Sequence, residues 1–513
     1  MSRKKRVDSV LVANRGEIAV RLIRTLKSLG LRTVAAHSEA DATSLPVQLA
    51  DEAALLGPPP ATDSYLRIDR ILEAAKKHDV SAVHPGYGFL SERDDFAAAV
   101  EDAGLVFLGP TAQQIAVLGD KLQARKLMEK AGIGPVPGTE KPLRDVSEAL
   151  RVAGKIGYPL ILKAAAGGGG KGIRIVREKK ELESSYRLAA SEAESSFGSP
   201  LLFAESYLEK ARHVEIQVLG DGAGGARIFW ERDCSIQRRL QKLVEESPSP
   251  AVSPEVRERL FHAALAVVQK VRYRGPGTLE FLLARGETLH FLEMNTRIQV
   301  EHPVTEMVSG IDLVAEQIRI AEGARLGGKS LDAVVVDARG AAIELRINAE
   351  NPLEDFRPSV GSITQLHLPH GPGIRVDTAA VAGCEVSPYY DPLVAKLIAW
   401  GEDRNAALSR LGTALGEFVV GGVYTTLPVG RSLLDDPSFQ RGDYHCQYLA
   451  EKLEDRRFLR AQPEDRDLPA LAASLALLHH QARRQSTREV LSSEPISSWR
   501  RPTQGGCWEL EGS

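Results

Sequence analysis

The sequence predicts a multidomain α/β and α+β protein: a parallel sheet flanked by helices first, then a body with substantial antiparallel content. Three observations lead there. The chain has 513 residues, which at roughly 100–200 per domain makes about three to five compact units. From Val10 short β-rich runs alternate with amphipathic helical ones, the order of a parallel sheet with helical crossovers. Beyond residue 200 strands follow one another with few helices between them, which favours antiparallel pairing.

The elements read as follows. Strand-like text begins at Val10, and Ile18, Leu22, Leu26 and Leu29 then recur at helical spacing, a core stripe that Gly30 ends. Further strand, helix and strand text occupies 33–38, 65–78 and 81–89. One helix is expected over 116–132, leading to the Pro/Gly-rich hinge 133–140. Tyr158 to Lys163 reads as a strand, Ala164 to Gly172 as a loop and Ile173 to Arg177 as the returning strand, so the glycines fall at a hairpin tip. Helices near 254–272, 311–323 and 406–418 punctuate the later strands. Residues 454–513 hold a charged linker, a stripe of Leu471, Leu475 and Leu478, and a Ser/Arg/Gly-rich end with Trp499 and Trp508.

Composition narrows the function. With 43% apolar and 26% charged residues, the chain is not wholly disordered. A formal charge of −3 argues against a dedicated nucleic-acid or acidic-membrane binder, which needs a basic surplus. A small anionic substrate stays open. No run of eighteen apolar residues occurs, so a soluble protein is expected. Arg3 to Arg6 is a solvated charge run with no apolar segment behind it. Cys234, Cys384, Cys446 and Cys507 show no Cys-x-x-Cys spacing, which suits a reducing cytoplasm better than disulfides or a zinc cage.

Two stretches carry chemistry. Gly167 to Gly172 contains the pattern G-x-G-x-x-G, but a strand follows where a dinucleotide site needs a helix. The P-loop spacing also fails, since Ala165 precedes Lys171 by six residues and Gly172 follows it. What remains is a hairpin whose N–H groups can close over phosphates, with Lys171 adding charge; a plain mobile turn is the alternative. The second stretch runs from Glu293 to Pro303, where polar residues alternate at 293, 295, 297, 299 and 301. In an extended chain these five share one face. Glu280 with Glu293 and Asn295 offers hard oxygen ligands suited to Mg²⁺ shared with substrate phosphates.

Lys163 with the glycine loop, Glu280 and the Glu293/Asn295 pair resemble an ATP-grasp ligase. Within that superfamily, Ala13-Asn-Arg-Gly-Glu-Ile18, His84-Pro-Gly-Tyr-Gly-Phe-Leu-Ser-Glu92, Arg212-His-Val-Glu-Ile-Gln217, Glu231-Arg-Asp-Cys-Ser-Ile-Gln-Arg-Arg239 and Glu293 to Pro303 resemble biotin carboxylase through roughly residues 7–453. The resemblance implies an N-terminal Rossmann-like domain over 1–119, an ATP-grasp domain over 120–341 with a lid at about 136–208, a C-terminal biotin carboxylase domain over 342–453, and a linker and helical tail over 454–513.

It also implies the reaction. ATP phosphorylates bicarbonate to carboxyphosphate, whose CO₂ passes to the ureido nitrogen of biotin. Lys121 and Lys163 hold phosphates under a lid of Gly168, Gly169, Gly170 and Lys171. Glu205, Leu208, His213 and Gln237 line the nucleotide pocket, Glu205 and Leu208 largely through backbone. Glu280, Glu293 and Asn295 hold Mg²⁺ or Mn²⁺, with two ions expected. Arg297, Lys242, Gln299 and the Val300 amide receive bicarbonate, Glu301 is the general base, Arg346 stabilises the biotin enolate, and Tyr87 borders the bicarbonate/biotin site.

Two departures stand out. Ser206 replaces a lysine common in relatives, and Leu240 replaces a histidine near the ribose and can make no hydrogen bond, so altered nucleotide affinity is expected. No Met-Lys-Met occurs, so biotin is expected on a separate carrier protein, with a carboxyltransferase subunit as further partner. The tail is weakly similar to the opening of a linker domain in acyl-CoA carboxylase alpha subunits, as a docking extension or a disordered remnant. Arg24 and Arg375 match interface positions, so a cytoplasmic homodimer is implied. Two other readings remain at this point: another carboxyphosphate-forming ATP-grasp ligase, such as a carbamoyl-phosphate synthetase module, and a non-catalytic nucleotide-binding scaffold.

Overall fold

The computed structural model describes residues 6–165, 172–327, 331–455 and 457–459. The loop residues Gly168, Gly169, Gly170 and Lys171 and the tail from 460 onward lie outside them. The described chain forms one compact unit ending at Leu459.

Strands β1 (Ser9–Val12), β2 (Arg32–Ser38), β3 (Glu52–Gly57), β4 (Ala82–His84) and β5 (Val106–Phe107) form a sheet in the order β3-β2-β1-β4-β5. Every pairing is parallel, as the alternating text predicts. The helix Gly16–Ser28 turns Ile18, Leu22 and Leu26 into the core. Leu29 is not core: the helix stops one residue earlier, and Leu29 is 37% exposed at its C-cap. Gly30 takes φ +72°, the left-handed turn that glycine adopts without strain.

The helix expected over 116–132 is two helices, Ala112–Gly119 and Lys121–Lys130. Asp120 divides them because its carboxylate accepts the N–H groups of Leu122 and Gln123, a cap that starts a new helix. Beyond the hinge, β6 (Leu160–Ala164), β7 (Ile173–Val176) and β8 (Leu202–Ser206) form a small antiparallel sheet in the order β7-β6-β8. The helices Val146–Ile156 and Leu182–Phe197 cover it. Leu143, Leu160, Leu162, Val176 and Leu202 give this lid its own core.

The main body is a nine-stranded sheet built on β9 (Arg212–Asp221), β10 (Ala226–Ile228), β11 (Arg232–Arg238), β12 (Gln241–Ser247), β13 (Arg274–Ala284), β14 (Thr288–Asn295), β15 (Ala341–Asn348) and the strands Leu393–Gly401 and Ile374–Thr378. All its pairings are antiparallel. Because β12 pairs with β15, the sheet runs unbroken across residue 341. The helix Pro254–Lys270 packs Leu260, Phe261, Ala264 and Val268 against Val214, Ile216 and Val218 of β9. This period-two alternation leaves His213, Glu215 and Gln217 on the other face.

Candidate functional site

That other face is the site. The antiparallel register sets Glu280 of β13 opposite Glu215 of β9 on one side and opposite Glu293 of β14 on the other. Three carboxylates thus stand in a row across three strands. Unscreened, two charges about 5 Å apart at an effective dielectric of 20 repel by about 3 kcal/mol, so the row requires cations.

Protein cations reach two of its members. Lys242 Nζ donates to Glu215 at 2.6 Å, Glu280 at 2.9 Å and Glu301 at 2.6 Å. Arg232, wholly buried, donates to Glu215, to Gln217 and Thr305 at 2.9 Å each and to Gln299 at 3.0 Å. Glu280 also accepts from Asn295 at 2.8 Å and Gln299 at 2.7 Å, and lies 2.9 Å from His213 Nε2. Burial alone would raise its pKa, but Lys242 and His213 hold it well below the carboxylate range.

Glu293 differs. Its carboxylate makes no hydrogen bond to a described residue, although it faces Glu280 directly. Its carboxyl, open to solvent yet ringed by protein, is pushed upward by desolvation first and then by Glu280, while Lys121 and Lys163 pull the other way. Glu280, Glu293 and Asn295 fit a hard divalent cation: the donors are oxygen, and the Glu293 carboxylate has no ion pair within 4.0 Å among the described residues. His213, Glu215 and Glu280 form a second group whose ligand atoms lie within 4.8 Å of one another. The charges of Lys121 and Lys163 reaching Glu293 put the base of the glycine hairpin beside the acidic row. Lys163 itself donates to Glu205 at 2.6 Å, and Arg125 binds the same carboxylate.

The five alternating polar residues do come together, but not on an extended face. β14 ends at Asn295, and Glu301 is the N-cap of the helix His302–Ser309. Hydrogen bonds replace strand geometry. Arg297 donates through Nε to Glu92 at 2.9 Å and through a terminal nitrogen to Asn295 at 3.1 Å. Gln299 bridges Glu280 and Arg232. The Val300 carbonyl accepts from buried Lys396 at 2.9 Å. Glu301 lies between Lys242 and Arg346, the latter at 2.9 Å. Burial would raise its pKa, but those two cations and Arg232 hold it below the usual range. Arg346 also donates through Nε to Glu245 at 2.6 Å.

Among the remaining candidates, Gln237 donates to His213 Nδ1 at 2.8 Å and to the Cys234 carbonyl. The Tyr87 hydroxyl donates to Glu17. Leu208 is half-buried just past β8. Leu240 and Arg239 form the two-residue turn between β11 and β12, both with φ positive, and Leu240 is 53% exposed. Arg375 donates to Asp377 and Glu306 within the chain.

Glu215, Arg232, Glu245, Glu92 and Arg125 were not singled out from the sequence. Glu215 had a signal, since it alternates between His213 and Gln217 in a strand. The partners of Arg232 come from two strands, a loop and a helix, and nothing local announces them.

Three family models match: "Biotin carboxylase, N-terminal domain" over 6–115, "Carbamoyl-phosphate synthase L chain, ATP binding domain" over 120–329, and "Biotin carboxylase C-terminal domain" over 344–451. Biotin carboxylase 1 of Bacillus subtilis is 49% identical over 444 residues, 86% of this chain and 98% of that protein. The mitochondrial propionyl-CoA carboxylase alpha chain of Homo sapiens is 44% identical over 503 residues, 97% of this chain and 69% of that one. Among solved structures, the biotin carboxylase domain dimer of Hydrogenobacter thermophilus 2-oxoglutarate carboxylase, in complex with MgADP, ADP and bicarbonate, is similar at a TM-score of 0.83 and 46% identity, covering 87% of this chain and 98% of that one.

Proposed function

The chain belongs to the biotin carboxylase family, an ATP-dependent ligase family with the ATP-grasp fold, and we propose that the acidic row, Lys242, Arg346 and Glu301 are the centre at which it carboxylates biotin. One observation carries this reading: a single ammonium, Lys242, joins the candidate cation ligand Glu280 to the candidate base Glu301.

Lys121 and Lys163 bind the triphosphate, and Gly168, Gly169, Gly170 and Lys171, which lie outside the described residues, are its further contacts. Glu205, Leu208, His213 and Gln237 border the nucleotide. Glu280, Glu293 and Asn295 hold Mg²⁺ or Mn²⁺, which when bound offsets phosphate charge. Bicarbonate takes the donors of Arg297, Lys242, Gln299 and the Val300 amide, and Tyr87 borders this subsite. Glu301 takes the bicarbonate proton as a bicarbonate oxygen attacks the γ-phosphorus and ADP leaves. Carboxyphosphate divides into CO₂ and phosphate, the phosphate trianion takes the ureido N–H proton of biotin, and the nitrogen takes up CO₂.

Glu301 becomes basic as substrate binds. Its low pKa rests on Lys242 and Arg346. When those cations turn to bicarbonate and to the developing biotin enolate, burial is left as the dominant influence and raises proton affinity. Arg346 then stabilises the enolate charge.

Biotin arrives on a separate carrier protein, and a carboxyltransferase subunit uses the product to carboxylate an acyl-CoA. Similarity to the human chain extends over 503 residues, past Leu459, which supports the tail as a docking segment for these partners. The protein works as a homodimer in the cytoplasm. Among the described residues no helix is long and apolar enough to cross a membrane. The test is ATP turnover with bicarbonate, with and without biotin. Biotin should accelerate ADP release and yield carboxybiotin; carbamoyl phosphate formed from ammonia instead would overturn the reading.

A further inference from the structure

Behind Arg346 lies a pair of acids that the reaction above does not use. Glu245 of β12 and Glu344 of β15 stand directly opposite each other in the ladder, so both side chains leave the same face of the sheet. Both are completely buried. Glu245 Oε1 accepts from Arg346. Its Oε2 and both oxygens of Glu344 have no hydrogen-bond partner among the described residues.

The surroundings explain the crowding. Glu344 feels Lys396 from the strand Leu393–Gly401, Arg346 beside it on β15, Glu245 across the ladder and Glu301 at the head of the helix His302–Ser309. The same helix carries buried His302 and Glu306, the latter bound by Arg21 and Arg375. Lys242 and Glu246 are the other charges on β12, and Glu246 is taken by Arg404 on the opposite face. The helix Arg404–Glu417 packs on that opposite face through Ala407 and Leu411 beside Leu345. Lys396 is already committed to the Val300 carbonyl at 2.9 Å and Glu17 at 3.1 Å.

A carboxylate removed from water and given no donor is among the most unfavourable groups to bury, whereas the neutral acid is far less so. We propose that Glu344 is held as the neutral carboxylic acid, leaving Glu245 the single negative charge of the pair, so that Glu245 is a positioning residue fixing one edge of Arg346. A second negative charge there would compete with the substrate charge that Arg346 is to stabilise. Burial agrees for Glu344, which it pushes well above the ordinary range, helped by Glu245, against the pull of Lys396 and Arg346; burial also raises Glu245, but Arg346, bound to it, pulls the other way. The positioning half of the proposal rests on the role given to Arg346; the protonation half does not.

The experiment uses the full chain in wild-type, E344Q and E245Q forms, with E245D as the conservative control. Infrared difference spectra of wild type against E344Q should show a protonated-carboxyl C=O band that the variant lacks. E245Q should lose about 10–100-fold in kcat with KM for ATP little changed, and E245D should recover part of it. In E344Q, kcat near neutral pH should fall far less than in E245Q, and its alkaline decline should move to higher pH. Absence of the band in folded wild type overturns the neutral acid. Its presence with kcat unmoved in E245Q overturns the positioning role alone when R346A abolishes turnover, and the reading of Arg346 with it when R346A does not; the protonation state stands in both.

Discussion

The large sheet contains two sets of facing acids, and they are handled in opposite ways. In front, Glu215, Glu280 and Glu293 lie in register across three strands, and Lys242 and Arg232 neutralise the first two. Behind, Glu245 and Glu344 face each other with one hydrogen bond to share, from Arg346. In the front set Lys242 and His213 hold Glu280 well below the ordinary carboxylate range, so it stays ionised. The rear set sheds charge, because burial without donors favours protons. The same cross-strand geometry therefore gives a row of charges or a pair that carries a single charge, according to the cations within reach.

The comparison can be broken most severely at the junction between the sets. Glu301→Gln should lower kcat by about 10³-fold while leaving nucleotide binding intact, measured by ADP release and by titration with ATP. Arg232→Ala should cost about 3–5 kcal/mol of stability in a denaturant melt, because it leaves buried Glu215 short of its partner.

The rear set predicts a pH effect of definite sign. Folded Glu344 keeps its proton above the usual glutamate value of 4.5, so the native state binds more protons than the unfolded chain there. Its contribution is fully present below that value and is lost as pH rises. Relative to wild type, Glu344→Gln should gain up to about 1.4 kcal/mol of stability per pH unit above that point, visible as a widening Tm difference. The front set is sharpened by Glu293→Gln, which should weaken activation by Mg²⁺ about 10–100-fold and relieve the like-charge contact with Glu280. Smallest is Leu240→His at the exposed turn, expected to lower KM for ATP by a few-fold, about 1 kcal/mol or less, with kcat unchanged.

Much of this was legible in the sequence, for reasons that differ by element. The parallel sheet was readable because strand and helix text alternate from Val10. Glu293 and Asn295 were readable because a period-two strand exposes alternate residues, and Glu280 because a further carboxylate suits the same cation and matches the family resemblance. The same period misled beyond Asn295, where the chain leaves β geometry and Glu301 caps a helix instead. The break at Asp120 was missed because a capping aspartate inside continuous helical text looks like a surface residue. Arg232, Glu92 and the Glu245/Glu344 pair depend on which strands become neighbours, and that is a property of tertiary register, absent from local spacing.

The most direct test of the site follows oxygen. Wild-type protein is given ATP, Mg²⁺, biotin and bicarbonate labelled with heavy oxygen, and the released phosphate is weighed by mass spectrometry. Attack of bicarbonate on the γ-phosphorus predicts a single heavy oxygen in each phosphate, formed in step with carboxybiotin. Unlabelled phosphate, or carboxybiotin made at the same rate without ATP, would contradict the account.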